Sequence, residues 1–391
     1  MLAAEGSAAR THRGELTVLT GAKTIANVAL RWVSVFLPTL ERAFGTSTGT
    51  LTTVMGVAEL GGLSTVGTGR WLDRGLERRV FVAGLAAVAA CSLIALGGTT
   101  WTFAAAYAVL VIGVGNLTVA GHAWISHRVA FSARGRSIGA FETSWALALL
   151  VGAPLVAGLI RGFGWRGPFV ALTVAAAVAG VAVVRWVSPG VAVAATPTRR
   201  VALPRSAYPP MIASAATAAA GLGMFVVSGA WLDDRYGMST GGLGAIAAAS
   251  GAMELASSSA VATVSDRVGS RRSVVIGLVV LFVGCGGLLA AGGSQVSAIA
   301  ALLVFLGGFE YAFVSSLTLV SEAAPLARGQ ALGVSNAFGT LARSASVVLS
   351  GQLYEAFGIS GSLTWVAIAA GCALAMTLVT RPATGPGGTR R

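Results

Sequence analysis

Long apolar stretches constrain the fold of this chain more than any other feature. A helix that crosses the hydrocarbon core of a bilayer needs roughly 20 apolar residues, and no water is present there to satisfy a broken backbone. We predict twelve such spans, at residues 18–40, 49–69, 80–98, 101–125, 137–160, 168–187, 209–232, 241–263, 273–291, 296–320, 330–352 and 361–380. The sequence therefore predicts an all-α membrane protein with twelve transmembrane helices.

Composition supports this class and excludes others. The chain has 391 residues, of which 55% are hydrophobic and only 10% are charged. Soluble domains carry about 25% charged residues, so a globule of this composition could not cover its surface with polar groups. The net charge is +13, but nucleic-acid-binding proteins carry such charge in an otherwise polar chain. An ordinary soluble enzyme, a disordered chain and a nucleic-acid-binding protein are all excluded.

The arginines between the spans fall mostly on one side of the predicted membrane. If both termini are cytoplasmic, only four arginines lie outside, namely Arg42, Arg161, Arg166 and Arg235. Twenty lie inside: Arg10, Arg13, Arg70, Arg74, Arg78, Arg79, Arg128, Arg134, Arg136, Arg185, Arg199, Arg200, Arg205, Arg267, Arg271, Arg272, Arg328, Arg381, Arg390 and Arg391. Because cytoplasmic loops of membrane proteins carry such an excess of positive charge, we predict that both termini are cytoplasmic.

The two halves of the chain resemble each other. Residues 40–49, LERAFGTSTG, return as LDDRYGMSTG at 232–241, an offset of 192. Asp73-Arg74 returns at an offset of 193, and the Ala-Arg-Gly of 133–135 at an offset of 194. These blocks predict two pseudo-symmetric six-helix bundles, residues 1–187 and 209–391, with a cytoplasmic linker at 188–208. Parallel halves of this kind are an architecture of secondary transporters.

The loop after the second span carries the most specific motif. Residues 69–79 read GRWLDRGLERR, and residues 262–272 read ATVSDRVGSRR at the equivalent place in the second half. Both resemble the G-x-x-x-D-R-x-G-R-R signature of the major facilitator superfamily, and the likeness covers the whole chain. The resemblance implies a twelve-helix transporter of that fold. We expect these loops to form the cytoplasmic gate, with the charged residues Asp73, Arg74, Arg78, Asp266, Arg267 and Arg271.

A second resemblance concerns the fifth span. Residues 153–158 read APLVAG, similar to the G-P-x-x-G-G element of proton-coupled drug exporters, with two of its glycines replaced by alanine. The fourth span has Val109 where such exporters carry an arginine, so their proton relay is not carried over to that span. This resemblance implies an antiporter in the inner or plasma membrane of a bacterium.

Ionisable and amide side chains inside the spans are the predicted functional residues. Each charge at mid-bilayer costs about 2.5–3.5 kcal/mol on insertion scales and therefore requires a partner or a purpose. Spans three, six, nine and twelve have no charge in their apolar centres, as expected for the lipid-facing helices of the resembled fold. The predicted proton-coupling and substrate-cavity residues are Asn27, Arg31, Glu59, Asn116, His122, Glu254, Glu310 and Arg343.

Structural roles for the same residues remain open. Arg31 with Glu59, and Arg343 with Glu310, could be ion pairs that only neutralise each other. His122 could be a hydrogen-bonded packing residue, and Lys23 is close enough to the cytoplasmic end to reach the headgroups. If Glu310 and Glu59 do not carry the proton, Glu142, Glu254 and His122 are the next candidates.

The preferred function is proton-coupled export of small organic or amphiphilic molecules by alternating access. Desolvation favours the neutral form of a buried acid, so Glu310 or Glu59 can bind a proton and release it when substrate displaces it. The alternatives are a proton-coupled importer of an organic anion, clamped by Arg31 or Arg343, and a lipid flippase.

A membrane enzyme is not expected, because the sequence lacks the usual hydrolase, metal and P-loop motifs. The expected partners are a small-molecule substrate, protons and membrane lipids, with no cofactor and no nucleic acid, and we expect a monomer.

Overall fold

The described residues of the chain are almost entirely helical. The computed structural model describes residues 2–190, 202–325 and 327–380, and among them the side chains of 2–12, 131, 132 and 266 are not described. No β-strand occurs within these ranges. The prediction of an all-α protein is confirmed for this part of the chain.

Six helices make up the first half of the sequence. They are α1 (Leu2–Val35), α2 (Thr48–Glu59, Leu60–Ser64 and Thr65–Asp73), α3 (Glu77–Ala95), α4 (Thr100–Arg128), α5 (Phe131–Leu147, Ala148–Gly152 and Ala153–Phe163) and α6 (Arg166–Trp186). A short helix, Leu37–Phe44, follows α1.

The second half repeats this order. Its helices are α7 (Tyr208–Tyr236), α8 (Thr240–Val268), α9 (Ser270–Ala290), α10 (Gln295–Ala323), α11 (Arg328–Phe357) and α12 (Ile359–Val379). A single turn of 3-10 helix, Arg205–Ala207, precedes α7.

Nine of the helices in the described ranges are long and apolar enough to cross a membrane by length and composition alone. The other three predicted spans lie in α1, α2 and α11. Helix α1 carries Lys23, Asn27 and Arg31, helix α2 is divided into three short segments, and α11 is rich in serine. The nine apolar helices of the described ranges differ in number from the twelve predicted spans because α1 and α11 contain polar residues and α2 is interrupted, not because a helix is missing.

Two helices depart from regular α geometry. In α2 a 3-10 segment, Leu60–Ser64, begins directly after Glu59 and contains two adjacent glycines. In α5 a π-helical segment, Ala148–Gly152, immediately precedes the turn that contains Pro154. Because proline removes a backbone donor and crowds the preceding turn, a locally wider turn accommodates it. The sequence predicts both spans as continuous helices, and the structure corrects this prediction.

The chain forms two compact units. The first contains residues 1–47, 58–198 and 237–251, and the second contains 48–57, 199–236 and 252–391. Helices α2 and α8 thus each contribute their first part to one unit and their second part to the other.

In each unit, a glycine allows two neighbouring helices to pack closely. In the first unit, a Cβ on Gly251 of α8 would lie 2.5 Å from the backbone nitrogen of Leu150 in α5. In the second unit, a Cβ on Gly56 of α2 would lie 2.5 Å from Val348 Cγ2 in α11. The repeat therefore extends to packing, since α8 meets α5 as α2 meets α11.

The pairs α3–α4 and α9–α10 show the same correspondence. A Cβ on Gly84 would lie 2.7 Å from the carbonyl oxygen of Gly113, and a Cβ on Gly277 would lie 2.5 Å from the nitrogen of Ala312. Gly84 and Gly277 are separated by the repeat offset of 193. Only hydrogen fits at these positions, so the helices approach closely.

Candidate functional site

A polar stripe on α1 faces α5. Lys23, Asn27 and Arg31 are spaced four residues apart, which places them on one side of the helix. All three are buried, and each contacts a residue of α5 between 141 and 145. The stripe therefore joins two helices of the first unit through polar contacts.

Lys23 takes part in a cluster of three titratable side chains from three helices. Its Nζ lies 2.7 Å from Glu142 Oε1, and His122 Nε2 of α4 lies 2.6 Å from the same oxygen. The ring of Phe141 supports the cluster, with its centroid 4.2 Å from Lys23 Nζ and 5.5 Å from the centroid of the His122 ring. The exposed fraction of the side chain is 2% for Lys23, 44% for Glu142 and 39% for His122.

The burial of Lys23 contradicts the expectation that its side chain reaches the headgroups. The ammonium group remains inside the bundle because Glu142 supplies a counter-ion and Phe141 supplies an aromatic face. Nothing in the local sequence of α1 indicated this, since the partner lies 119 positions along the chain.

The rest of the stripe contacts backbone and hydroxyl groups. Asn27 Nδ2 donates to Ser144 Oγ at 3.2 Å. Arg31 Nη1 donates to the carbonyl oxygen of Trp145 at 2.9 Å, and its Cζ lies 4.2 Å from the centroid of the Trp145 ring. These contacts fix the orientation of both side chains against α5.

Asn116 of α4 holds the irregular part of α2. Its Nδ2 donates to Ser64 Oγ at 2.9 Å and to the carbonyl oxygen of Ile112 at 2.8 Å, while its Oδ1 accepts from Thr68 Oγ1. Ser64 ends the 3-10 segment. The amide thus supports the backbone where α2 departs from α geometry.

Glu310 occupies the equivalent place in the second half. It lies 194 positions after Asn116, and its Oε1 accepts from Ser258 Oγ of α8 at 2.8 Å. Glu310 is only 7% exposed, and Glu254, one turn before Ser258 on α8, is 3% exposed. Both halves therefore link their second and fourth helices through a hydroxyl group, with an amide in one half and a carboxyl group in the other. Ser258 is not among the predicted site residues, although its position four residues after Glu254 could have indicated it.

The two remaining predicted cavity residues are half-buried. Glu59 ends the first segment of α2, directly before the 3-10 segment. Arg343 of α11 donates from Nη2 to Thr340 Oγ1 at 3.2 Å, one turn earlier on the same helix.

The two signature loops each place an arginine at a helix end. Arg78 Nη1 donates to the carbonyl oxygen of Val187 at 3.0 Å, at the end of α6. Arg271 Nε donates to the carbonyl oxygen of Thr377 at 3.1 Å, and its Nη2 donates to that of Leu378, at the end of α12. Both arginines bind carbonyl groups that a helix end leaves unsatisfied. The sequence predicts a role at the gate for both arginines and gives no sign of this capping.

The other predicted gate residues are exposed where they are described. Asp73, Arg74 and Arg267 have exposed side chains, and that of Asp266 lies outside the described residues. Asp73 forms no hydrogen bond or ion pair with the described side chains.

Glu77, within the first signature loop, is a buried acid that is not among the predicted site residues. Glu77 Oε1 lies 2.5 Å from His127 Nδ1 and 3.7 Å from Arg128 Nη1. Arg128 Nη2 also donates to the carbonyl oxygen of Pro189 at 2.7 Å. In the second half, Ser270 stands in place of Glu77 and donates to Glu322, which stands in place of Arg128. The repeat offsets of 193 and 194 could have indicated both pairs.

Comparison with known proteins gives the family. The family model of the Major Facilitator Superfamily matches residues 20–226 and again residues 211–391. No curated protein sequence matches the chain.

Several solved structures share the fold. A bacterial homologue of the human lysosomal transporter Spinster, inward-facing and unoccupied, has a TM-score of 0.77 at 13% identity and 95% coverage of both chains. A D-xylose-proton symporter has a TM-score of 0.74 at 15% identity, covering 95% of this chain and 98% of its own. A POT family transporter in complex with a thioalcohol-conjugated peptide has a TM-score of 0.73 at 12% identity and 94% coverage of both chains.

Sequence, fold and packing lead to the same family. The twelve-helix prediction agrees with the fold of these transporters, and the polar stripe of α1 forms hydrogen bonds with α5, as buried polar groups generally do. The chain belongs to the Major Facilitator Superfamily and is a multi-pass membrane transporter, not an enzyme.

Proposed function

We propose that the chain is a secondary active transporter that exchanges protons for small organic or amphiphilic molecules and exports them. The observation that carries this proposal is the burial of Glu310. Glu310 belongs to the apolar helix α10, is 7% exposed, and accepts a hydrogen bond from Ser258. An acid in such a place is retained against a substantial insertion cost.

The carboxyl group of Glu310 has two protonation states with different requirements. When it is protonated, it is neutral and tolerates an apolar environment. When it is ionised, it requires a donor or a cation, which Ser258, an arginine such as Arg343 or a substrate can supply. A group that binds either a proton or a counter-ion couples the two fluxes, since binding of one changes the affinity for the other.

Export is supported by the element at 153–158. A Cβ on Gly244 of α8 would lie 2.8 Å from Ala157 Cβ, so the small residues of this element allow close packing of α5 in the first unit. The resemblance of this element to proton-coupled exporters favours antiport. No such resemblance favours the rival function, import of an organic anion clamped by Arg31 or Arg343.

The remaining proposals follow from the charge pattern. We place both termini in the cytoplasm of a bacterial cell, with the chain in its inner or plasma membrane as a monomer. The exposed Asp73 and Arg74, with Asp266 and Arg267 in the second copy, are proposed to act at the cytoplasmic gate, and neighbouring arginines to bind anionic lipids.

The proposed function is tested in proteoliposomes with an imposed pH gradient. Cationic dyes, neutral drugs and organic acids are screened first with the wild-type protein. Glu310→Gln is then compared with Glu322→Gln, a control on the same helix whose carboxylate accepts from Ser270 near the end of α10. We expect Glu310→Gln to abolish pH-driven transport while substrate binding and downhill exchange remain. The control is expected to transport as the wild type does.

Two results would contradict the proposal. If Glu310→Gln retains full pH-driven transport, the acid is a structural group and coupling lies elsewhere. If only organic acids are carried, and they accumulate in the more alkaline compartment together with protons, the protein is a symporter.

A further inference from the structure

We propose that His122 is a second proton-binding site, held in position by Glu142 and biased by Lys23. The proposal rests on the proposed proton coupling and adds a site to it. Three titratable groups from α4, α5 and α1 meet at one atom, Glu142 Oε1, at 2.6 and 2.7 Å from His122 Nε2 and Lys23 Nζ. Glu310 belongs to the second unit and takes no part in this cluster.

The hydrogen bonds define which atom takes the proton. An ionised carboxylate only accepts, so both the ammonium group of Lys23 and Nε2 of His122 must donate to Glu142. Neutral His122 therefore carries its hydrogen on Nε2 and has its lone pair on Nδ1. A proton that adds to Nδ1 gives an imidazolium ion, and the bond from Nε2 to Glu142 remains intact. The cluster changes from a net charge of zero to +1.

Burial and hydrogen bonding separate the roles of the three groups. Lys23 is 2% exposed and has Glu142 as its counter-ion, so loss of that carboxylate would leave a buried charge uncompensated. Glu142 is 44% exposed and His122 is 39% exposed, but Glu142 is already the shared acceptor of both hydrogen bonds, so Nδ1 of His122 is the atom that takes up the proton. Glu142 positions the ring of His122. The positive charge of Lys23 repels the imidazolium ion and so shortens the time for which the proton is bound.

The surroundings of His122 contain few other charges. From α5 the ring faces Glu142 and the edge of Phe141, and from α1 it faces Lys23 across their shared oxygen. Helix α2 packs against α4 through Ser64 and Thr68, which contact Asn116. The titratable groups of α2 are Glu59, Arg70 and Asp73, and on α4 itself the next ones are His127 and Arg128. His127 pairs with Glu77 rather than with this cluster.

Nuclear magnetic resonance of labelled histidine reads this site directly. The chain has three histidines, so the signals in lipid nanodiscs are assigned by replacing His12, His122 and His127 one at a time. We expect the neutral ring of His122 to carry its hydrogen on Nε2, and the ring to gain a second hydrogen on Nδ1 as the pH is lowered. In Glu142→Gln the ring faces an amide, which can donate as well as accept, so the neutral form should lose its preference for hydrogen on Nε2.

The matched control is Glu77→Gln. This substitution removes the carboxylate beside His127 and is expected to change the tautomer of His127 while that of His122 stays the same. If Glu142→Gln does not fold, the double variant Lys23→Met with Glu142→Gln removes both charges together and leaves none buried alone. In that protein the neutral ring of His122 should lose its preference for hydrogen on Nε2.

A His122 ring that never gains a second hydrogen while the protein stays folded, or a neutral tautomer that Glu142→Gln leaves unchanged, overturns the proposal. The measurement requires no substrate and no transport. If His122 titrates as expected and no pH gradient drives transport, the site stands and the proposed function fails. If pH-driven transport is found and His122 does not titrate, the reverse holds.

Discussion

Adjacent arginines in this chain have different structural surroundings. Arg271 donates to two carbonyl groups at the end of α12, whereas the side chain of Arg272 is exposed and forms no hydrogen bond or ion pair with the described residues. The positive charge of both fits the cytoplasmic side of a membrane protein. Only Arg271 also satisfies backbone groups that the helix end leaves without partners.

We expect Arg271→Gln to loosen the end of α12, and Arg272→Gln to leave it unchanged. A cation at a helix C-terminus contributes about 0.3–1 kcal/mol, so local opening should become a few times more frequent. Hydrogen exchange at the backbone amides of 376–380 measures this directly. Equal exchange rates in the two variants would show that Arg271 contributes charge but no capping.

The polar stripe of α1 illustrates how far residue-level reasoning reaches. Four-residue spacing is enough to place Lys23, Asn27 and Arg31 on one face. It does not say which helix covers that face, because the partners on α5 lie 114–119 positions away. The sequence therefore indicates Glu142 only as an alternative proton carrier, and its bonds to Lys23 and His122 required the structure.

At the scale of the helix, glycine determines how closely neighbours approach. Gly277 of α9 faces the backbone of Ala312 in α10, whereas Gly286 of the same helix has open space where a Cβ would be. The sequence shows both residues as glycines in an apolar run, and only the packing distinguishes them. In the same way, the 3-10 segment of α2 and the π segment of α5 depend on their surroundings and were not predicted.

We expect Gly277→Ala to destabilise the protein and Gly286→Ala to be neutral or slightly stabilising. The added Cβ at 277 would lie 2.5 Å from the nitrogen of Ala312 and would force the helices apart. Overpacking of this kind costs about 1–3 kcal/mol, while alanine at an open helical position gains in helix propensity. Thermal unfolding in detergent compares the two variants. If both lower the midpoint equally, the close approach of α9 and α10 does not contribute to stability.

At the scale of the whole molecule, the repeat is the most informative feature of the sequence. Offsets of 192–194 relate the signature loops, the pair Asn116 and Glu310, and the capping arginines Arg78 and Arg271. Twelve spans and two halves could be predicted because length, hydropathy and repetition are encoded along the chain. The division of α2 and of α8 between the two units could not be predicted, since it depends on contacts between distant helices.

The predicted orientation is tested by cysteine labelling. Single cysteines are placed in 189–207 and in 233–238 of a variant that lacks Cys91, Cys285 and Cys372. A membrane-impermeant reagent added to intact cells should label the second group and spare the first. Labelling of both groups from the same side would contradict the placement of both termini in the cytoplasm.

The central claim is that proton movement and substrate movement are coupled in opposite directions. Proteoliposomes that contain a pH-sensitive dye and a compound transported by the protein are diluted into buffer free of that compound. Because coupling is reciprocal, outward movement of the compound should drive protons inward and acidify the lumen, whichever way the protein is inserted. A lumen that becomes more alkaline, or whose pH stays constant while the compound leaves through the protein, would contradict the claim.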